Sequence, residues 1–229
     1  MVRLGHRVHR LMVVAALIAL MASLLGALSG SATADVSRAG VHAAAACEGA
    51  FQGDARLGPA TLPGPSDKLV GPLLVGYQRT GGLSSKDFLD RYWDPAANDN
   101  QGAWRYPPQD GFLLDPQGQP IKWVRTLPVG TELDRFGSEF GGFLSPAGTS
   151  YAARSIPPQS LYTFEAAYPC NYHKYRVITA FAVSEGPIAP WFEQHGVGVQ
   201  DKLERSLVPG EGRLTVNWLL ANNYLARVG

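Results

Sequence analysis

The chain has 229 residues, with 20 Lys and Arg against 19 Asp and Glu and a formal charge of +1. A charge so balanced supplies no long-range field of the kind that draws proteins to nucleic acid or to an anionic membrane surface. Its length allows one domain of good size plus an export segment, and 26 Gly and 17 Pro favour short strands and turns over long helices.

Residues 1–34 read as a secretory signal peptide. Arg3, His6, Arg7, His9 and Arg10 form a basic region, Leu11 to Leu28 an uncharged apolar run, and Ala32-Thr33-Ala34 a small-residue cleavage site. The run is close to the shortest that spans a bilayer, so an uncleaved anchor is the alternative. The reading predicts a secreted or cell-surface protein with no stable membrane association after cleavage. Residues 35–46 are small and unpatterned, a disordered linker. In an exported chain, the pair Cys47 and Cys170 predicts one disulfide. Neither cysteine adjoins a cationic helix start that would activate a thiol.

Residues 47–124 are rich in Gly and Pro and predict a loop-rich region packed on the C-terminal domain. Within it, Ser84 or Ser85 caps a short helix through Tyr92, with apolar spacing at Phe88, Leu89 and Tyr92 and a stop at Pro95. Asn98 to Gly118 is turn-rich, and its rings Trp104, Tyr106 and Phe112 read as core fillers. Strands are predicted at 121–127, at 131–136 and, as one long element, at 172–183, with closing strands at 213–217 and 222–228. The sum is a strand-rich α+β fold with few helices.

No metal-ligand cluster and no Ser-His-Asp arrangement stands out. Attention falls instead on Asp134 to Pro158 and Gly186 to Gln200. Arg135 and Arg154 offer planar, permanently charged donors that suit phosphate oxygens, although spacing alone equally describes two ordinary surface arginines. Phe136 and Phe143 could stack on a flat ring or fill the core. Gly137, Gly141 and Gly142 allow close approach of backbone to a ligand, or simply form a hairpin. Trp191, Gln194 and Gln200 lie in a segment that Pro187, Pro190, Gly196 and Gly198 keep from forming a long helix, a pocket lid or a plain surface loop. His173, alone on a strand, reads as structural. Alternation puts it on one face with Tyr175, and Tyr172 with Lys174 on the other.

The blocks DRFGSEFGGFLSPAGTSYAARSIPP, NYHKYRV and GPIAPWFEQHGVGVQ, in this order, resemble the necrotizing-toxin-type (TNT) domain. That family consists of secreted NAD glycohydrolases, among them bacterial toxins and fungal surface NADases. GDARLGP from Gly53 and WRYPP from Trp104 also resemble the fungal members, which extends the likeness over most of the mature chain. The resemblance implies a catalytic domain over residues 125–229. It implies Arg135 and Phe136 as the arginine–aromatic pair near nicotinamide and phosphates, Arg154 as a second arginine on the dinucleotide, and Phe143 at a ligand-facing aromatic position. Trp191 belongs to the aromatic pair of the loop, Gln200 takes the place of the family's essential glutamine, and Gln194 stands second to it. The loop departs from the family pattern, with Glu193 in place of a glycine and His195 in place of a proline. No acidic pair near the C-terminus matches the calcium site of some fungal members.

The implied reaction is NAD⁺ or NADP⁺ plus water giving nicotinamide and an ADP-ribose, with the dinucleotide as substrate and no cofactor or metal. The toxins bring an immunity protein into view as a partner; oligomeric state is left open. An ADP-ribosyltransferase, with Glu139 or Glu193 as its glutamate, and an inactive binding module of the same fold are the alternatives.

Overall fold

The computed structural model describes residues 46–228; the predicted signal peptide and the linker up to residue 45 lie outside the described residues. The chain enters through 3₁₀ turns at Phe51–Gly53, Ala55–Leu57 and Gly71–Leu74. The predicted helix comes next as α1 (Ser85–Tyr92), capped by Ser84, whose Oγ accepts from Asp87 N at 3.1 Å. A two-residue ribbon, β1 (Trp93–Asp94) with β2 (Ala103–Trp104), brackets a single left-handed turn, α2 (Ala97–Asn100).

The main element is a seven-stranded sheet made only of antiparallel pairs. Its strands are β3 (Trp123–Leu127), β4 (Glu132–Phe136), β5 (Phe143–Pro146), β6 (Tyr172–Val177), β7 (Phe181–Pro187), β8 (Val199–Lys202) and β9 (Leu225–Arg227), in the spatial order β3-β7-β8-β5-β4-β6-β9. The run 172–183 is therefore not one strand. It breaks after Val177, where Ile178 N turns to Tyr224 O; β6 pairs with β4 and β9, whereas β7 pairs with β3 and β8. No Gly or Pro marks this crossing, so a continuous β-branched run concealed it.

Alternation assigns the two faces of the sheet. Leu127, Leu133, Leu144, Tyr175, Val177 and Val183 point to one face, covered by α3 (Val216–Ala221). Residues 213–217, expected as strand, instead lead into α3, because Thr215 Oγ1 accepts from Trp218 N at 3.1 Å and starts a helix. Val216 and Leu219 are fully buried there, at roughly 1.5–3 kcal/mol each, which stabilises a helix too short to persist alone. On the other face, Phe136 and Tyr172 pack with Tyr151, Leu161, Val70 and the Cys47–Cys170 disulfide, which joins the loop-rich segment to the start of β6. The expected disulfide is thus present.

Candidate active site

The face of the sheet that carries Phe136 opens into a cleft of about 560 Å³, within the range typical of small-molecule sites. β4 supplies Asp134, Arg135 and Phe136, and β5 supplies Phe143 and Ser145. Arg154 ends the 3₁₀ turn Tyr151–Arg154 and Ser155 comes directly after it. Gln200 comes from β8, and Tyr106, Asp110 and Gly111 from the turn before β3. Tyr106, read from sequence as core, is 60 % exposed at this rim. One side of its ring packs edge-on against the buried Phe192, 5.7 Å between ring centres.

Arg135 is held by main chain alone. Its Nε donates to Gly137 O (3.2 Å) and Ser138 O (2.7 Å), and its Nη1 to Phe143 O (2.7 Å). A Cβ on Gly141 would run into the guanidinium, so this glycine makes room for the arginine rather than for the ligand itself. The wrapping loop is pinned in turn. Glu139 accepts from Tyr175 Oη (3.0 Å) and from Arg227 Nε (2.9 Å), while Val216 N and Asn217 N of α3 donate to Gly141 O and Glu139 O. Burial holds the Arg135 pKa below its ordinary value, with Tyr175, Tyr106 and Glu139 opposing that effect. Arg135 makes no ion pair among the described residues, so a guanidinium, which stays charged at any working pH, sits in the cleft without a carboxylate in contact.

Arg154 is engaged differently. It is 6 % exposed; its Nη2 donates to Asp134 Oδ1 (2.5 Å) and Thr149 O (2.7 Å), and its Nε to Thr149 O (3.1 Å). Its guanidinium lies 5.2 Å from the Phe136 ring centre. Asp134, fully buried, also accepts from Gly148 N and Tyr172 Oη, each at 2.8 Å. Sequence reasoning gave Asp134 no role. The available signal was the acid directly before Arg135 in a segment that also holds a second arginine.

Gln200 is 7 % exposed, with Nε2 donating to Asp110 O at 3.0 Å. Its Oε1 accepts no hydrogen bond among the described residues. Asp110 itself is paired with Lys202 (2.5 Å). Both carboxylates that line the cleft are therefore already paired, and the groups free to meet a ligand are cationic, aromatic or amide.

Trp191 and Gln194 are not among the residues that line the cleft. Trp191 Nε1 donates to Arg105 O (2.7 Å), which tethers the segment bearing Tyr106. Gln194 Nε2 donates to Gln78 O (2.7 Å) and Phe192 O (3.1 Å), which closes the 191–194 turn. Main-chain acceptors thus hold the Trp191 indole N–H and the Gln194 amide nitrogen. Glu193 has φ 56°, a left-handed conformation that a glycine reaches without strain. Here Glu193 is bound by Arg91 (2.5 Å) and Tyr92 Oη (2.8 Å) of α1, contacts a glycine could not make. The two glutamates considered for ribosyl transfer are thus both occupied, Glu139 by Arg227 and Tyr175, Glu193 by α1. His173 is neutral in character: burial pushes its pKa down, and its Nε2 meets Asn171 Oδ1 at 3.1 Å.

The cleft is backed by the sheet, and its lining holds one guanidinium with no carboxylate in contact, a second paired with Asp134, aromatic rings and a buried amide. Residues 126–228 match the family model described as Tuberculosis necrotizing toxin. The chain is 51% identical over 149 residues to the conidial surface nicotinamide adenine dinucleotide glycohydrolase of Aspergillus fumigatus. That match takes in 65% of this chain and 62% of the relative, so the chain spans less than two thirds of the length of the curated relative. The fold resembles the tuberculosis necrotizing toxin solved in complex with its immunity factor, with a TM-score of 0.51, 17% identity, and coverage of 72% of this chain and 87% of that one. The resemblance carried by the sequence blocks agrees with all three.

Proposed function

We propose that the protein is an NAD⁺ glycohydrolase, releasing nicotinamide and ADP-ribose by attack of water on the ribose. The observation that carries this reading is Arg135, a guanidinium held by carbonyls alone in a cleft whose lining also includes Phe143 and Gln200. Its geometry supports a phosphate grip that the protein does not itself neutralise. Arg154 adds positive potential and fixes Asp134 and Phe136 beneath the ligand.

The chemistry fits what the cleft offers. Nicotinamide leaves a pyridinium as a neutral molecule, so the step needs no proton from an acid. The barrier lies in the oxocarbenium-like ribose, as in other glycoside cleavages. Phe136 and Phe143 provide flat surfaces for the departing ring, and the free Oε1 of Gln200 is an acceptor for the ribose hydroxyls or the attacking water as positive charge develops. Fixing two reactants in this way lowers barriers by about 7–11 kcal/mol in ideal cases. The name of the fungal relative supports NAD⁺ as substrate and a surface or secreted location, and NADP⁺ fits the same grip. The toxin's complex supports an immunity factor as a partner of this chain.

Purified protein incubated with NAD⁺ and no protein acceptor tests the proposal. Equal amounts of nicotinamide and free ADP-ribose are expected. Nicotinamide release that requires a protein acceptor, with the ribose ending on that acceptor, would point to transfer instead of hydrolysis.

A further inference from the structure

Gln200 and its neighbour Asp201 point to opposite faces of β8. In the register of β7 with β8, Gly186 faces Gln200 and Glu185 faces Asp201. Asp201 is fully buried and Glu185 is 4 % exposed. The two carboxyls are unequally served. Glu185 accepts from Trp123 Nε1 (3.0 Å) and Arg125 Nη1 (2.6 Å), both on β3. Neither oxygen of Asp201 meets a donor among the described residues. On its other side, β5 presents only Leu144. The charged groups facing Asp201 are thus Glu185 from β7 and, beyond it, Arg125 from β3; Lys202 of its own strand points away, to Asp110 and Glu204.

Two buried carboxyls side by side do not both ionise. Glu185 has the guanidinium and the indole N–H, so it keeps the charge. Asp201 takes the proton, and that proton is the donor that joins the two side chains. Burial first, and then the charge of Glu185, push the Asp201 carboxyl up to about 7.

We propose that Asp201 is a positioning residue for the cleft: as a neutral carboxylic acid it fastens β8 to Glu185 of β7 and so sets the strand that carries Gln200. The inference rests on the hydrolase reading for its activity readout. Its consequence is a defined pH dependence. The folded state holds this proton and the unfolded chain, with an ordinary carboxyl near 3.8, does not. The contribution to stability is complete below that ordinary value and is lost as pH rises through about 7. Above it, the proton goes to solvent and leaves two adjacent buried anions behind Gln200.

The test compares kcat against pH for wild type and Asp201→Asn, measured by nicotinamide release. Asparagine keeps a donor toward Glu185 and cannot ionise. Wild-type kcat is expected to fall about tenfold per pH unit above its midpoint, while Asp201→Asn holds its kcat through the same range. A folded Asp201→Asn with the wild-type alkaline limb overturns the proposal, since a residue that merely fills space leaves the profile unchanged. Should the variant not fold, carbon-13 NMR of the Asp201 carboxyl in wild-type protein decides. A carboxyl still protonated at about pH 5.5 and titrating near neutrality supports it, and one ionised at about pH 5.5 overturns it. Absence of nicotinamide release by wild type at every pH counts against the hydrolase reading alone, and the NMR titration still decides the role of the acid.

Discussion

Arg154 Nη2 lies 2.5 Å from Asp134 Oδ1, and both side chains are almost wholly removed from solvent beneath the cleft. The arginine is therefore bound to the protein before any ligand arrives, and its foremost contribution is structural. Removing it leaves Asp134 with Tyr172 and Gly148 as donors but without its counter-charge. Arg154→Ala should destabilise the fold by about 3–5 kcal/mol, a fall in Tm of roughly 6–20 °C for a domain of this size. Thermal melts without substrate check this. A variant with wild-type Tm and only a raised KM would show that Arg154 serves the ligand more than the fold.

Arg135 differs because main-chain carbonyls hold it and no carboxylate among the described residues contacts it. Arg135→Ala should leave Tm within a few degrees of wild type and raise KM roughly 10- to 100-fold, the value of a charge-assisted contact made in ground and transition states alike. Initial-rate kinetics decide, and inorganic pyrophosphate should inhibit wild type but lose its effect on the variant.

Gln194→Ala removes two hydrogen bonds to Gln78 O and Phe192 O, outside the cleft. It should cost about 1–3 kcal/mol of stability and leave kcat within a few-fold of wild type. A large fall in kcat with an unchanged melt would mean that the 191–194 turn reaches the substrate.

The disulfide closes a sequence separation of 123 residues between the loop-rich segment and the start of β6. Loop-closure entropy assigns it about 4–5 kcal/mol. Reduction, or Cys47→Ala with Cys170→Ala, should lower Tm by roughly 8–20 °C, measured with and without reductant. An unchanged Tm would show that the two core faces hold without it.

Local rules made some of this architecture legible. Ser84 and the spacing of Phe88 and Tyr92 announced α1, and β-branched or aromatic content announced β3, β4 and β6. β5 and β8 went unmarked. They are four residues each, contain Pro, Gln or Asp, and owe their strand state to pairing with distant partners. The site divided in the same way. Motif resemblance brought Arg135, Phe136, Phe143, Arg154 and Gln200 to one cleft, and the structure does place them there. The resemblance ranked Gln200 above Gln194, and β8 pairing puts Gln200 alone of the two in the cleft lining. It could not find the Asp134–Arg154 or Asp201–Glu185 relationships, which depend on how the 3₁₀ turn Tyr151–Arg154 folds back on β4 and on the register of β7 with β8.

The most direct measurement is single-turnover nicotinamide release by Gln200→Ala beside wild type, with Tm and substrate affinity determined on the same samples. Gln200 lines the cleft with an Oε1 that no described donor occupies, so its contact should strengthen as the ribose becomes cationic. By analogy with a single oxyanion-hole donor, the loss should be about 2.7–4 kcal/mol, or roughly 100- to 1,000-fold in the cleavage rate. Tm and substrate affinity should stay close to wild type. A folded Gln200→Ala that binds NAD⁺ and cleaves it at the wild-type rate would contradict this mechanism, since the group placed at the developing charge would then play no part in the reaction.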